Sequence, residues 1–341
     1  MPVKYYFYFL IIYSFFPTDC LAQFSLKFDL ESGIYGTLNE PLENQIKIES
    51  RIDGKLKYNY HDDNRVASIE LRARPEIFGI NNGLTSLKLK SAGSYYQYEK
   101  SFSWGINFSG QSHNFHSSEI SSKYKMLDIS GDISKILDSL NSILLKFGYS
   151  NRIKNTSALL DIELIFADVM WLQNFGPGLN FGYGIYIEKF SSNYDAGFIF
   201  NNYLKQNNGL RYGPAIMVDF FGSFILRGNY YLLIHDSDIT KSTSLEHQVN
   251  LAFGKKIANK LSLILLIDYY QNQFRFKNNF NTEKHLYFPS NLENQISAKI
   301  AYDISSVTEL YAKSGYFNID LQENESSFSG WNFVLGIQFS Y

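Results

Sequence analysis

Cysteine is nearly absent: the 341 residues include one, Cys20. It falls in the leader described below, so the mature chain has none, and neither a disulfide framework nor a thiolate metal site organises the fold. A net charge is also missing. At −2, from 31 basic and 33 acidic side chains, nothing marks a nucleic-acid partner or another strongly charged one. Long apolar runs are lacking after the leader. The longest, Leu261 to Ile267, is too short to cross a bilayer as a helix. Helical patterning is as scarce. Ser134 to Leu144 fits one helical turn and fits equally a turn entering a strand. No linker, low-complexity tract or shift of composition divides the chain, so it reads as one domain from Gln23 to Tyr341.

Residues 1–22 read as a secretory signal peptide. Lys4 is its basic region and Tyr5 to Phe16 its compact apolar run, and cleavage after Ala22 would leave Gln23 first. Asp19 stands where a lipoprotein site needs a small residue before Cys20, which argues against lipidation.

What the chain has in quantity is aromatic residues, 26 Tyr and 29 Phe, and alternation. Phe24, Leu26, Phe28 and Leu30 share a face, as do Ile46, Ile48, Ile52, Leu56, Tyr58 and Tyr60. The same holds for Trp104, Ile106 and Phe108, for Ile143, Leu145, Phe147 and Tyr149, and for Leu160, Ile162, Leu164 and Phe166. It continues through Leu179 to Ile187, Tyr212 to Phe220 and Phe224 to Leu232. A period of two over strand-length segments parted by polar turns is the pattern of a β-barrel, the one way strands can cross hydrocarbon. About 17 segments can be counted, but a closed single-chain barrel takes an even number. The surplus lies between about Ser150 and Phe220, with Ala167 to Gly178 first suspect, so 16 strands are expected (14 to 18 allowed). Tyr302 to Leu310, Gly254 to Leu263 and Gly131 to Leu140 read as short turns at one end. His235 to Ser244, Lys277 to Asn291 and Leu321 to Ser329 read as longer loops at the other. A secreted β-sandwich also alternates. Against it stand aromatic residues near segment ends, where girdles meet lipid headgroups, as at Tyr58, Tyr60, Phe108, Tyr149, Phe339 and Tyr341.

The final segment, Gly330 to Tyr341, places Trp331, Phe333, Leu335, Ile337, Phe339 and Tyr341 on one face. Here the chain resembles the outer-membrane β-barrel proteins of diderm bacteria. The resemblance implies that these six residues are the signal read by the barrel-assembly machinery, and that the protein sits in outer-membrane lipid. It is architectural, covers the whole mature chain and names no subfamily.

If the apolar set faces lipid, the alternate set faces the lumen. That set includes Lys47, Glu49, Arg51, Asp53, Lys55 and Lys57, then Glu70, Arg72, Arg74 and Glu76, then Lys88 and Lys90. Lys or Arg on a lipid face near the midplane would cost about 2–4 kcal/mol each, so these face water or one another. Eight are basic and four acidic. They form either a basic pore wall that favours anionic solutes or an ion-pair ladder between strands. Asp161, Glu163 and Glu188 are further inward acids by the same reading. Gly182, Gly184 and Gly336 are inward and small, and Pro75 and Pro214 mark bulges or strand ends.

Catalytic groups are sparse. No nucleotide loop, no Gly-x-Ser-x-Gly elbow and no paired-histidine zinc motif occurs. His113 and His116, beside Ser112, Ser117 and Glu119, and the run His235, Asp236, Ser237, Asp238 carry groups for a metal or a nucleophile and base. Both also read as solvated loops. His61, His247 and His285 are isolated. No cofactor and no metal are expected. The leading expectation is a non-enzymatic, porin-like channel for small hydrophilic solutes. The alternatives are an accessory barrel in a secretion or assembly complex and an outer-membrane hydrolase; the partner is either a further copy in a homo-oligomer or a member of such a complex.

Overall fold

Hydrocarbon offers no partner to a backbone N–H or C=O, so a chain that crosses it as strands must close its sheet on itself. A computed structural model describes residues 21–37, 46–78, 84–116, 121–155, 159–195, 206–277, 294–320 and 327–341. They form β1 (Leu21–Thr37), β2 (Ile46–His61), β3 (Arg65–Phe78), β4 (Leu84–Tyr98), β5 (Phe102–His116), β6 (Ser121–Ile136), β7 (Asn141–Asn155) and β8 (Leu159–Asn174). There follow β9 (Leu179–Asp195), β10 (Gln206–Phe221), β11 (Ile225–Ser237), β12 (Ser244–Ala258), β13 (Leu261–Gln273), β14 (Asn294–Asp303), β15 (Thr308–Asp320) and β16 (Ser327–Ser340). Each strand pairs antiparallel with its sequence neighbours, and β16 returns to β1, closing a 16-strand barrel. The seam is stitched by Leu26 and Tyr341, each N–H donating to the other's carbonyl at 2.8 Å. Most of the expected signal peptide, residues 1–20, lies outside the described residues, and β1 begins at Leu21.

Seven short connections, from 62–64 to 304–307, fall at one end of the barrel. The three expected short turns are among them. Ala167 to Asn174 is the second half of β8 and 175–178 its turn, which removes the surplus strand. In that turn Gly178 has φ +86°, and a Cβ there would lie 2.0 Å from the Phe221 carbonyl oxygen. In the β6–β7 turn Asp138 accepts from the Asn141 side chain and from the backbone N–H of Leu140 and Asn141, which holds its carboxyl below the ordinary value. The longer connections lie at the opposite end. Of the expected loops there, 278–293 and 321–326 lie outside the described residues.

The prolines differ from expectation. Pro75 lies within β3 opposite Leu87, and Pro214 within β10 opposite Ile185. The β2–β3 and β10–β11 ladders are interrupted beside them, yet the register is the same on both sides. A missing N–H removes ladder hydrogen bonds locally and need not bulge the strand. The girdle expectation holds at the short-turn end, where Phe24 and Tyr58 rings lie 4.7 Å apart, Tyr95 and Trp104 5.5 Å, and Phe220 and Phe224 4.5 Å. Phe108 is instead mid-strand. Its ring covers Gly93, the residue directly opposite on β4. Phe147 covers Gly131 and Trp331 covers Gly36 in the same way. An aromatic face shields the bare glycine backbone of the neighbouring strand.

Candidate functional site

The outer face is a belt of exposed apolar residues that runs round the barrel, from Leu30, Ile52 and Leu71 through Ile129, Ile165 and Ile185 to Ile300 and Leu335. Strands of 10 to 17 residues meet or exceed the 9–11 that a tilted strand needs to cross. A closed sheet with this belt and an even strand number is the bacterial outer-membrane architecture. The chain is therefore an outer-membrane β-barrel. Trp331, Phe333 and Leu335 lie exposed in the belt on β16, Ile337 and Phe339 continue the same face half-exposed, and the exposed Tyr341 follows the strand.

One side of the lumen is charged. On β1 to β4 the inward described side chains are eight basic and six acidic, because β1 adds Lys27, Asp29 and Glu31 to the residues read from sequence. The basic excess is thus smaller than the sequence suggested. Lys47 sits opposite Tyr35 in the sheet, and its side chain lies outside the described set. Two lines of residues, each following the ladder from strand to strand, differ in kind. In one, Glu31, Arg51, Glu76 and Ser86 are successive partners, so sign alternates. Arg51 Nε lies 2.9 Å from Glu31 and its Nη2 also pairs with Glu49, Arg74 reaches Glu76 at 2.8 Å, and Lys88 reaches it at 3.5 Å. This is a ladder of cross-strand ion pairs. In the other line, Lys27, Lys55, Arg72 and Lys90 are successive partners. Four cations stand directly opposite one another, an arrangement that is destabilising by itself. Asp53 grips Arg72 Nε at 2.7 and 3.0 Å, and Glu70 holds Lys55 at 2.8 Å. Lys27 and Lys90 make no ion pair among the described residues. Two of these side chains are reachable, Arg72 at 37% exposed and Lys55 at 35%, as is Lys88 beside the other line at 32%.

The other side of the lumen is packed. Arg211 on β10 donates through Nε and Nη2 to Glu246 on β12, at 3.1 and 2.6 Å, and through Nη1 to Glu188 on β9 at 2.8 Å. Glu188 also accepts from Tyr186 at 2.6 Å, and Glu246 pairs with His235 Nδ1. All four charged or imidazole side chains are buried, Glu246 and His235 completely. The His235 ring lies between Phe190 and Phe274, at 5.2 and 4.9 Å. Ile239, from the β11–β12 connection, is buried against Tyr270, Phe274 and Phe276. Neither Arg211 nor Glu246 was singled out from sequence.

Strand β8 has the opposite phase to that expected. Ile162 and Leu164 face inward, buried with Phe190, whereas Ile165 and Val169 are exposed in the belt. Asp161 and Glu163 therefore point outward, opposite Ile153 and Asn151 near the long-loop end. Glu188, Gly182 and Gly184 are inward as expected, and Gly336 pairs with the inward Tyr311.

The candidate catalytic groups do not converge. His113 and His116 are three apart on β5, hence on opposite faces. Ser117 and Glu119 lie outside the described residues, as does His285. Ser86 Oγ donates to Glu76 at 2.9 Å and lies 2.9 Å from His113 Nε2. Its proton is thus directed to the carboxylate, not to the histidine that a serine nucleophile would need as base. In the second group Ser237 Oγ is 2.9 Å from Thr240 Oγ1, and Asp238 accepts the Asn208 N–H at 2.9 Å. Asp236 lies 3.5 Å from Lys277. Among the described residues no three His, Cys, Asp or Glu side chains are grouped to hold a metal.

No family model and no curated protein sequence matches the chain. Among solved structures it is similar to CdiB from Acinetobacter baumannii, at 11% identity and a TM-score of 0.46, over 93% of this chain and 60% of that one. It is also similar to the FrpB iron transporter from Neisseria meningitidis, at 7% identity and a TM-score of 0.47, over 93% of this chain and 81% of that one. For the TodX monoaromatic hydrocarbon channel the figures are 8% and 0.40, over 94% and 90%.

Proposed function

We propose that the protein is a passive channel for small hydrophilic solutes across the outer membrane. The observation that carries this reading is the exposure of the charged wall. Side chains such as Arg72 and Lys55, inward-facing and about one third exposed, need water beside them, because an ion in a dry lumen would be strongly disfavoured. Barrels of 16 to 18 strands are wide enough for an aqueous channel. Barrel assembly through the β16 aromatic face belongs to the same proposal. The hydrolase alternative has little to support it, since His235 is fully buried and His113 faces a serine already committed to Glu76.

The test is conductance of the purified protein in a planar bilayer. Discrete steps of nanosiemens scale are expected. Stable insertion with no conductance would overturn the channel. It would favour the accessory barrel, a reading that the packed β8–β12 side already suits.

A further inference from the structure

We propose that the line Lys27, Lys55, Arg72, Lys90 is a binding level for small multivalent oxyanions in transit. This rests on the channel reading and names its solute class. Four successive strands present a cation at directly opposed positions, along about 14 Å of wall at the usual strand spacing of about 4.8 Å. A wall built only for cohesion would alternate sign, as the neighbouring Glu31, Arg51, Glu76 line does. Here the nearest acids are already engaged. Asp53 holds Arg72, Glu70 holds Lys55, and Asp29 accepts from Tyr311 at 2.5 Å. They fix two of the cations in position and leave Lys27 and Lys90 at the two ends without a carboxylate partner among the described residues. Beyond Lys90 the line goes on through Gln111, a neutral donor, and Met126 to Arg152. An ammonium or guanidinium group donates hydrogen bonds and accepts none. The matching ligand is therefore all acceptor and carries more than one negative charge, as phosphate or a dicarboxylate does. Both meet the same donors.

The experiment compares the full protein with the double variant Lys27→Gln/Lys90→Gln, which breaks no ion pair among the described residues. Reversal potentials are read under a potassium chloride gradient, with phosphate and then succinate titrated as blockers of the chloride current. The wild type is expected to prefer chloride, and the double variant to lose about threefold of that preference. Block should weaken by a similar factor, and whichever anion blocks at lower concentration names the source. Conductance with unchanged reversal potential and unchanged block would overturn the inference while leaving the channel standing. Absence of conductance would overturn the channel instead. Calorimetric titration of the detergent-solubilised protein with phosphate and succinate then decides the inference. Saturable binding lost in the double variant supports an anion level in a closed lumen, and no binding refutes it.

Discussion

The lumen holds two arginine–carboxylate arrangements of nearly the same chemistry in opposite surroundings. Arg72 and Asp53 pair on a wall where the arginine is 37% exposed; Arg211 and Glu246 pair where the exposures are 1% and 0%. Water decides what each can do. An exposed pair contributes little to stability but leaves its charge available to a passing ion. A buried pair has given up its hydration, so each member depends on the other, and no solute can touch it. One barrel thus carries ion pairs within reach of solvent on β2 and β3 and ion pairs sealed in a packed wall on β9 to β12.

The comparison is tested most severely at Arg211. Arg211→Met keeps most of the volume and leaves Glu188 and Glu246 facing each other in a dry site. Unfolding by urea in detergent or vesicles should show a loss of about 3–5 kcal/mol, the usual result of stranding one half of a buried pair. Replacing the three together, Arg211→Met, Glu188→Leu and Glu246→Leu, should restore only part of that loss, because His235 Nδ1 and the Tyr186 hydroxyl then lose their carboxylate partners. If the single variant unfolds like the parent, the packed wall is wetter than its burial indicates.

A smaller effect is expected where the charged wall meets the seam. Tyr311 on β15 lies over Gly336, and its hydroxyl lies 2.5 Å from Asp29 and 2.6 Å from Glu31, two acceptors that share its one proton. A Cβ at Gly336 would fall 2.3 Å from the ring. Gly336→Val should push the tyrosine aside and cost about 1–3 kcal/mol as overpacking. Gly336→Ala should cost less, and equal costs would mean that the ring moves freely.

How much of this could be read from residues alone depends on whether a strand has one oily face or two. β2 carries apolar residues on a single face, and β1, β9 and β16 do so for most of their length, with Phe190 and Val334 turned inward, so their phase and the barrel were legible. β8 is apolar on both, with Ile165 and Val169 outside and Ile162, Leu164 and Met170 inside. Alternation gives its period but not its phase, which is set by pairing across the ladder, Phe147 opposite Ala167. The charged residues of β2 to β4 were legible as a set. Their division into an alternating line and a basic line was not, because opposition across strands depends on register. The buried cluster was hidden by distance, with Arg211 and Glu246 35 positions apart. One local sign existed. Gly209 and Gly213 flank Arg211 at two residues either side, on its own face, and the bare Gly209 makes room for the Phe190 ring that covers the cluster.

The finest test compares the two pairs by the same measurement. Coupling between Arg72 and Asp53, from the variants Arg72→Met, Asp53→Asn and both together, should be about 0.2–1 kcal/mol at low salt. The screening length is about 10 Å at 0.1 M salt and about 3 Å at 1 M, so most of that coupling should vanish at high salt. The corresponding cycle at Arg211 and Glu246 should keep most of its value, because ions do not enter a site with no exposed surface. A salt-independent coupling at Arg72 would mean that the charged wall is also sealed. The exposure argument for an aqueous lumen would then fail together with the distinction between the two walls.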